Sequence, residues 1–161
     1  MMSMRVSKES LDAFRKALRQ KKAEAEHEGA RAVEATVKLL ESRVTEKVAK
    51  ETTDTGRYLQ SIESSCSGLS GDVIATAAHA VYVENGTRAH RPPFRPIYEW
   101  VWRKRLDFGI KPDEVGRVAK AIVDKIAREG TRPGHQWLRS IEETRPDFDA
   151  FLKDAIRRAL L

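Results

Sequence analysis

Four histidines, one cysteine and a group of serines are the residues with which this chain could do metal or covalent chemistry: His27, His79, His90, His135, Cys66, Ser61, Ser64 and Ser65. Their spacing argues against each use. No His-x-x-x-His pair or His-Glu-x-x-His string occurs, and Cys66 has no second cysteine with which to share a metal or a disulfide. It reads as a buried or half-buried thiol. The serines lack the Gly-x-Ser-x-Gly elbow, and no Gly-Lys-Ser/Thr follows Gly68 and Gly71, which read as a hairpin turn. Glu84 is the one carboxylate in a distinctive setting, ahead of Asn85-Gly86 and close to several arginines. Its simplest role is an ion pair or hydrogen bond that orders the Arg88–Arg95 arm. The sequence predicts no catalytic residue, no metal site and no cofactor. A hydrolase built around His79, Glu84 and His90 is the remotest of three readings.

Contact chemistry is better represented. Ala80 to Arg88 and then Ala89-His90-Arg91-Pro92-Pro93-Phe94-Arg95-Pro96 set an apolar and aromatic run, a flexible Gly86 and a rigid proline arm in succession. That order suits a docking loop. The chain is +6 overall, and residues 86–105 hold Arg88, Arg91, Arg95, Arg103, Lys104 and Arg105 against Glu99 alone, a local balance of 6 − 1 = +5. Such a segment serves a phosphate backbone or an acidic protein surface, or is simply a solvated face. Trp100, Trp102, Trp137, Tyr82, Phe94 and Tyr98 gather near the same turns. Trp100 is expected in the core, with Phe94, Trp102 and Trp137 divided between core and interface.

The elements that must position these residues can be read from periodicity. The 161 residues suffice for one domain burying about 70% of its unfolded surface. From Ser7 to Lys50 there is no proline, and Leu11, Phe14 and Leu18, then Ala30, Val33, Val37, Leu40, Val44 and Val48, recur at helical spacing. This predicts one long helix or two hinged near Gly29. Residues 1–29 are an expected helical extension free to reach a neighbour, and residues 30–161 the domain proper. Tyr58–Cys66 and Asp72–Ala77 read as antiparallel strands, while Ala78–Glu84 is either a strand or a helical turn. Helices follow over Ile97–Arg105 behind Pro96, from Pro112 to Gly130, and from Pro146 to Leu160. The class is α+β, a small antiparallel sheet packed by a long N-terminal helix and C-terminal helices. No apolar run approaches the roughly 20 residues of a membrane span, and the start has no apolar signal core, so a cytoplasmic site of synthesis and no membrane partner are expected. Gly130-Thr131-Arg132-Pro133-Gly134-His135 echoes Gly86-Thr87-Arg88-Ala89-His90, although strings this short also arise by chance in an Arg-rich chain.

Thr55-Gly56-Arg57, Tyr82-Val83-Glu84-Asn85-Gly86-Thr87, Pro93-Phe94-Arg95-Pro96 and Gly130-Thr131-Arg132 occur in the order seen in one family. Over roughly residues 55–143 the chain resembles the gene-product-ten-like neck and tail-completion proteins of lambda-like tailed phages. Many relatives carry an aromatic where Asn85 stands, and here Pro93–Pro96 and Gly134–Arg139 each match the closing string in part. The resemblance implies a virion structural protein that joins the head connector, or portal adaptor, to the tail as a ring of identical subunits, without catalytic residues. It would assemble in the host cytoplasm and could touch packaged DNA without reading its sequence. Expected interface residues are Glu84, Gly86, Thr87, Arg88, Arg91, Pro93, Phe94, Arg95, Arg132 and Trp137. The alternative is a nucleic-acid-binding module using residues 86–105, although no recognition motif accompanies that segment.

Overall fold

The computed structural model describes residues 8–52 and 54–160, with the side chains of residues 8–11, 13 and 14 left undescribed. The chain is α+β: six α-helices and one two-stranded antiparallel sheet among the described residues. These residues form two compact units, one from 8–46, 62–75 and 138–160, the other from 47–61 and 76–137.

The first unit is organised by helix α1, Lys8–Glu51. Its sequence is rich in Ala, Glu, Lys and Arg, the best helix formers, and opposite charges recur one turn apart, as in Lys21–Glu24 at 3.2 Å and Arg31–Glu28 at 3.2 Å. Hydrogen bonds from Lys21 and Gln20 hold the Glu24 carboxyl below its usual range, and one from Lys38 does the same for Glu34. The helix runs through Gly29 without the hinge that was one of two sequence expectations. Gly29 has a different reason: a Cβ there would stand 2.7 Å from Leu69 Cδ2, so glycine makes a seat for the hairpin tip.

That hairpin is β1, Ile62–Ser67, paired with β2, Ser70–Ala75, in the register Ile62↔Ala75 to Ser67↔Ser70. Gly68-Leu69 alone make the turn, tighter than the four-residue connection expected. Ser64 Oγ donates to Glu41 Oε2 of α1 at 2.7 Å. Cys66 is exposed rather than half-buried, because every β1 side chain after Ile62 is exposed on this narrow sheet. The expected strand start at Tyr58 is instead a helical turn, α2, Arg57–Gln60, which follows Gly56 in a left-handed conformation and buries Tyr58.

Helix α6, Gln136–Leu160, begins ten residues before the Pro146 start predicted from sequence. An interior proline removes one helical hydrogen bond and crowds the preceding turn, usually a penalty of ~3 kcal/mol. Here Arg43 of α1 supports the affected turn, donating through Nη1 to the Glu143 carbonyl at 2.8 Å, Thr144 Oγ1 at 3.1 Å and Asp147 Oδ2 at 2.7 Å. With Lys21 at Ala159 and Glu28 at Arg158, these contacts run the two helices antiparallel. Ala32, Val37 and Val44 of α1 and Ser140, Thr144, Ala155 and Ala159 of α6 are buried, small residues that permit close approach.

The second unit centres on Val101, Val115 and Ala119, all fully buried. Val101 lies in α4, Phe94–Lys104, and the other two in α5, Val115–Glu129, which a 3₁₀ turn over Pro112–Glu114 introduces. Ile97, Tyr98, Trp100, Ile110, Val118 and Ile122 pack around them. Helix α4 starts three residues before the expected Ile97, with Pro93 as its cap and Pro96 in the first turn, where a missing N–H costs nothing. The ambiguous segment before the arm resolves as α3, Ala80–Asn85.

The α1–α6 clamp generates a prediction. Arg43→Ala leaves the Glu143 carbonyl and Asp147 without their cation at the proline turn, and thermal unfolding should show a loss of about 1–3 kcal/mol. Arg43→Lys should recover only part of it, since the shorter-reaching, more strongly hydrated ammonium lacks the fixed planar geometry of the guanidinium. Equal stability of all three proteins would show that the turn needs no support.

Candidate functional site

The two Gly-Thr-Arg strings meet. Thr87 and Thr131 form an isolated antiparallel bridge, each N–H donating to the other's carbonyl at 3.2 and 3.1 Å, with the hydroxyls 3.0 Å apart. Gly86 and Gly130 precede the threonines with φ of 68° and 73°. Extended ψ values of −176° and −158° put both in a region that only glycine occupies comfortably. The need is also steric: a Cβ on Gly86 would fall 2.3 Å from the Thr131 carbonyl oxygen, and one on Gly130 would fall 2.0 Å from that of Thr87. The two glycines let the two loops touch backbone to backbone. The sequence echo therefore has a structural basis.

Glu84 fixes the end of this assembly, but by a different route from the one expected. Its Oε2 accepts from the Trp137 backbone N–H at 3.0 Å, in the first turn of α6, where the amides have no helical partner. Its own carbonyl accepts from His135 N, and that of Val83 from Gly134 N. The Trp137 indole donates to Tyr58 Oη at 2.8 Å, and Tyr58 stacks edge-on to His79 with centroids 5.7 Å apart. Burial pushes the Tyr58 hydroxyl above its usual pKa. Trp137 is thus half-buried, with both of its N–H groups satisfied inside the fold.

Around the paired loops lies an open groove of about 1070 Å³. Tyr82, Val83, Pro92, Ile97, Ile126 and Pro133 supply apolar wall, with His79 and His90 beside them and Arg88 and Arg132 on the two loops. Of the expected interface residues the groove brings together Thr87, Arg88 and Arg132; Arg91, Pro93, Phe94 and Arg95 do not line it. Arg91 pairs with Asp124 at 3.1 Å and Arg95 with Glu99 at 2.9 Å. Phe94 is 47% exposed beside Tyr98. Trp100 packs at the α4–α5 core as expected, while Trp102 is on the surface under the Arg105 guanidinium, 4.2 Å from its ring centre. Among the described residues no three of His, Cys, Asp and Glu come together as metal ligands. No described helix is long and apolar enough to cross a membrane.

No known family model, curated protein or solved structure matches this chain.

Sequence reasoning missed Ile126 as a wall of the groove and Tyr58 as the partner of Trp137, because each arrives from a different element. The repeated Gly-Thr-Arg string was the available signal for the pairing.

Two predictions follow from this geometry. Gly86→Ala and Gly130→Ala should each destabilise by about 3 kcal/mol or more, from a strained backbone and a carbonyl inside contact distance. A loss under about 1 kcal/mol in chemical denaturation would mean that the loops do not touch. For Tyr58 the folded pKa is raised, so its stabilising effect is complete below about pH 10, the unfolded value, and is lost as pH climbs through the folded one. Alkaline unfolding should accordingly be shallower in Tyr58→Phe, which near neutrality is weakened by about 1–2 kcal/mol through the unpaired indole N–H.

Proposed function

We propose that this chain is a virion structural protein of the neck or tail-completion type, a ring-forming subunit between the phage head connector and the tail. The motif resemblance supplies the class, and the observation that carries the reading is the joining of both Gly-Thr-Arg strings into one hydrogen-bonded rim of an apolar groove. Such a surface offers apolar floor, a few directed cations and little conformational freedom, which are properties of a protein docking site. Neither loop docks alone on this reading; the pair does.

The charge pattern favours a protein partner over nucleic acid. Of the six cations in residues 86–105, four pair with carboxylates: Arg91 with Asp124, Arg95 with Glu99, Arg103 with Asp54 and Lys104 with Asp107. Arg105 lies over Trp102 and donates to its carbonyl at 2.6 Å. The +5 segment is therefore largely neutralised within the fold. A duplex binder instead presents many unpaired cations in register with phosphates. Exposed ion pairs are individually weak, about 0–1 kcal/mol, so contact with packaged DNA as it passes the ring is the second reading.

Genetic complementation tests the proposal. Arg88→Glu combined with Arg132→Glu should leave the circular dichroism spectrum unchanged and abolish completion of infectious particles. Particles that form normally with this variant sink the groove as an interface. Particles that form normally without the protein at all sink the functional class. For the second reading, binding of the isolated chain to duplex DNA should be weak and non-specific; tight binding with a steep salt dependence would reverse the order of the two.

A further inference from the structure

Helix α6 has apolar residues on two faces, and α1 covers only one of them. Ala155, Ala159, Ser140 and Thr144 face α1 and are buried, whereas Leu138, Ile141, Leu152, Ile156 and Leu160 are between 38% and 76% exposed. Helical periodicity puts these five, with half-buried Phe148, along one continuous stripe. Together they leave bare on the order of 500 Å² of aliphatic surface, as large as the biggest apolar patches ordinarily left on a monomer. A second copy or a partner would normally cover such a stripe.

The same unit contains an apolar segment with the opposite deficiency. Ala159, next to last in α6, lies beside Lys21, so residues 8–20 of α1 project past the end of α6. The side of α1 that carries α6 from Lys21 onward continues into the sequence stripe closed by Leu18, which is 54% exposed. Leu11 and Phe14, the other two stripe positions, lie outside the described side chains. The projecting end therefore has an α6-binding side with no α6 to bind.

The flanking charges match. Arg15 and Lys22, seven residues apart, border the α1 stripe on one side, and Glu142 and Asp149, also seven apart, border the α6 stripe. Arg15 and Lys22 are engaged only with exposed acids on their own helix, Asp12 at 3.4 Å and Glu26 at 3.7 Å. Glu142 and Asp149 have no ion-pair partner among the described residues. Equal spacing on two helices sets both opposite-charge pairs in register at once.

We infer that the projecting N-terminal end of α1 in one copy packs on the outer face of α6 in the next. Because the two patches differ, the contact is head-to-tail, the type that generates rings when its rotation closes. The inference deepens the ring-forming reading given above and rests on it for the biological setting, but not for its measurement.

Sedimentation of the full-length protein provides the test. The wild type should self-associate, and Arg15→Glu with Lys22→Glu should weaken association by at least about tenfold. Glu142→Lys with Asp149→Lys should weaken it similarly, and all four changes together should bring it back to within about threefold of wild type. All four positions lie at the helix surface, so circular dichroism should be unchanged throughout. A wild-type chain that stays monomeric up to its solubility limit overturns the inference, as does association that the four-fold variant fails to recover. Particle completion is scored separately: normal particles without the protein would remove the functional reading while leaving a recovered association intact.

Discussion

Everything in the second unit must accommodate the reciprocal approach of Gly86-Thr87 and Gly130-Thr131. Closing a loop of 44 residues costs roughly 3–4 kcal/mol in chain entropy. Two backbone hydrogen bonds and a hydroxyl contact contribute about 0.5–1.5 kcal/mol each, so they offset that cost at best. The bridge cannot be what drives the loops together. The α4–α5 core does that, by packing Val101 against Val115 and Ala119 between the two strings, and the bridge then fixes their register. The glycines are required because this register leaves no volume for a Cβ on either side. The position of the groove wall consequently depends on the helical core behind it.

Charge in this protein orients more than it stabilises. Most of its ion pairs join residues one helical turn apart at exposed positions, where solvent and salt reduce the gain to a few tenths of a kcal/mol. Arg43 is different, since it serves three acceptors at the one helix turn weakened by proline. Arg103 also departs from the pattern: hydrogen bonds from its guanidinium to Asp54 raise its pKa and tie the end of α4 to the segment following α1. Such pairs leave Arg88 and Arg132 standing out on the groove loops, because the other arginines of the arm already have carboxylates.

Periodicity in the sequence was a good guide wherever a helix has one buried face. The long first helix, the α5 stripe ending at Gly130 and the apolar positions of α4 were all legible for that reason. Errors came where a distant residue decides. Pro146 looked like a start because the support for its turn comes from Arg43, about a hundred residues earlier. The internal partners of Trp137 could not be read from sequence, because Tyr58 and Glu84, which take its two N–H groups, lie on other elements. Cys66 looked buried because small apolar thiols usually are, but a two-stranded sheet is too narrow to cover it. Repetition of Gly-Thr-Arg was visible, and only the three-dimensional pairing gave it meaning.

The two surfaces proposed for docking differ in chemistry in a way that bears on assembly order. The groove belongs to the second unit, is concave, and carries isolated cations. The helical stripes belong to the first unit, are elongated and aliphatic, and find their complement on the same chain. A subunit that used one patch for both its own copies and a foreign partner would let each compete with the other. Separate patches remove that competition, and a closed ring would repeat the groove once per copy. Weak individual docking would then become strong through simultaneous engagement, provided that the partner matches the ring's spacing. On this reasoning modest affinity per groove is compatible with a durable joint, and the geometry of the ring rather than the depth of any one pocket selects the partner.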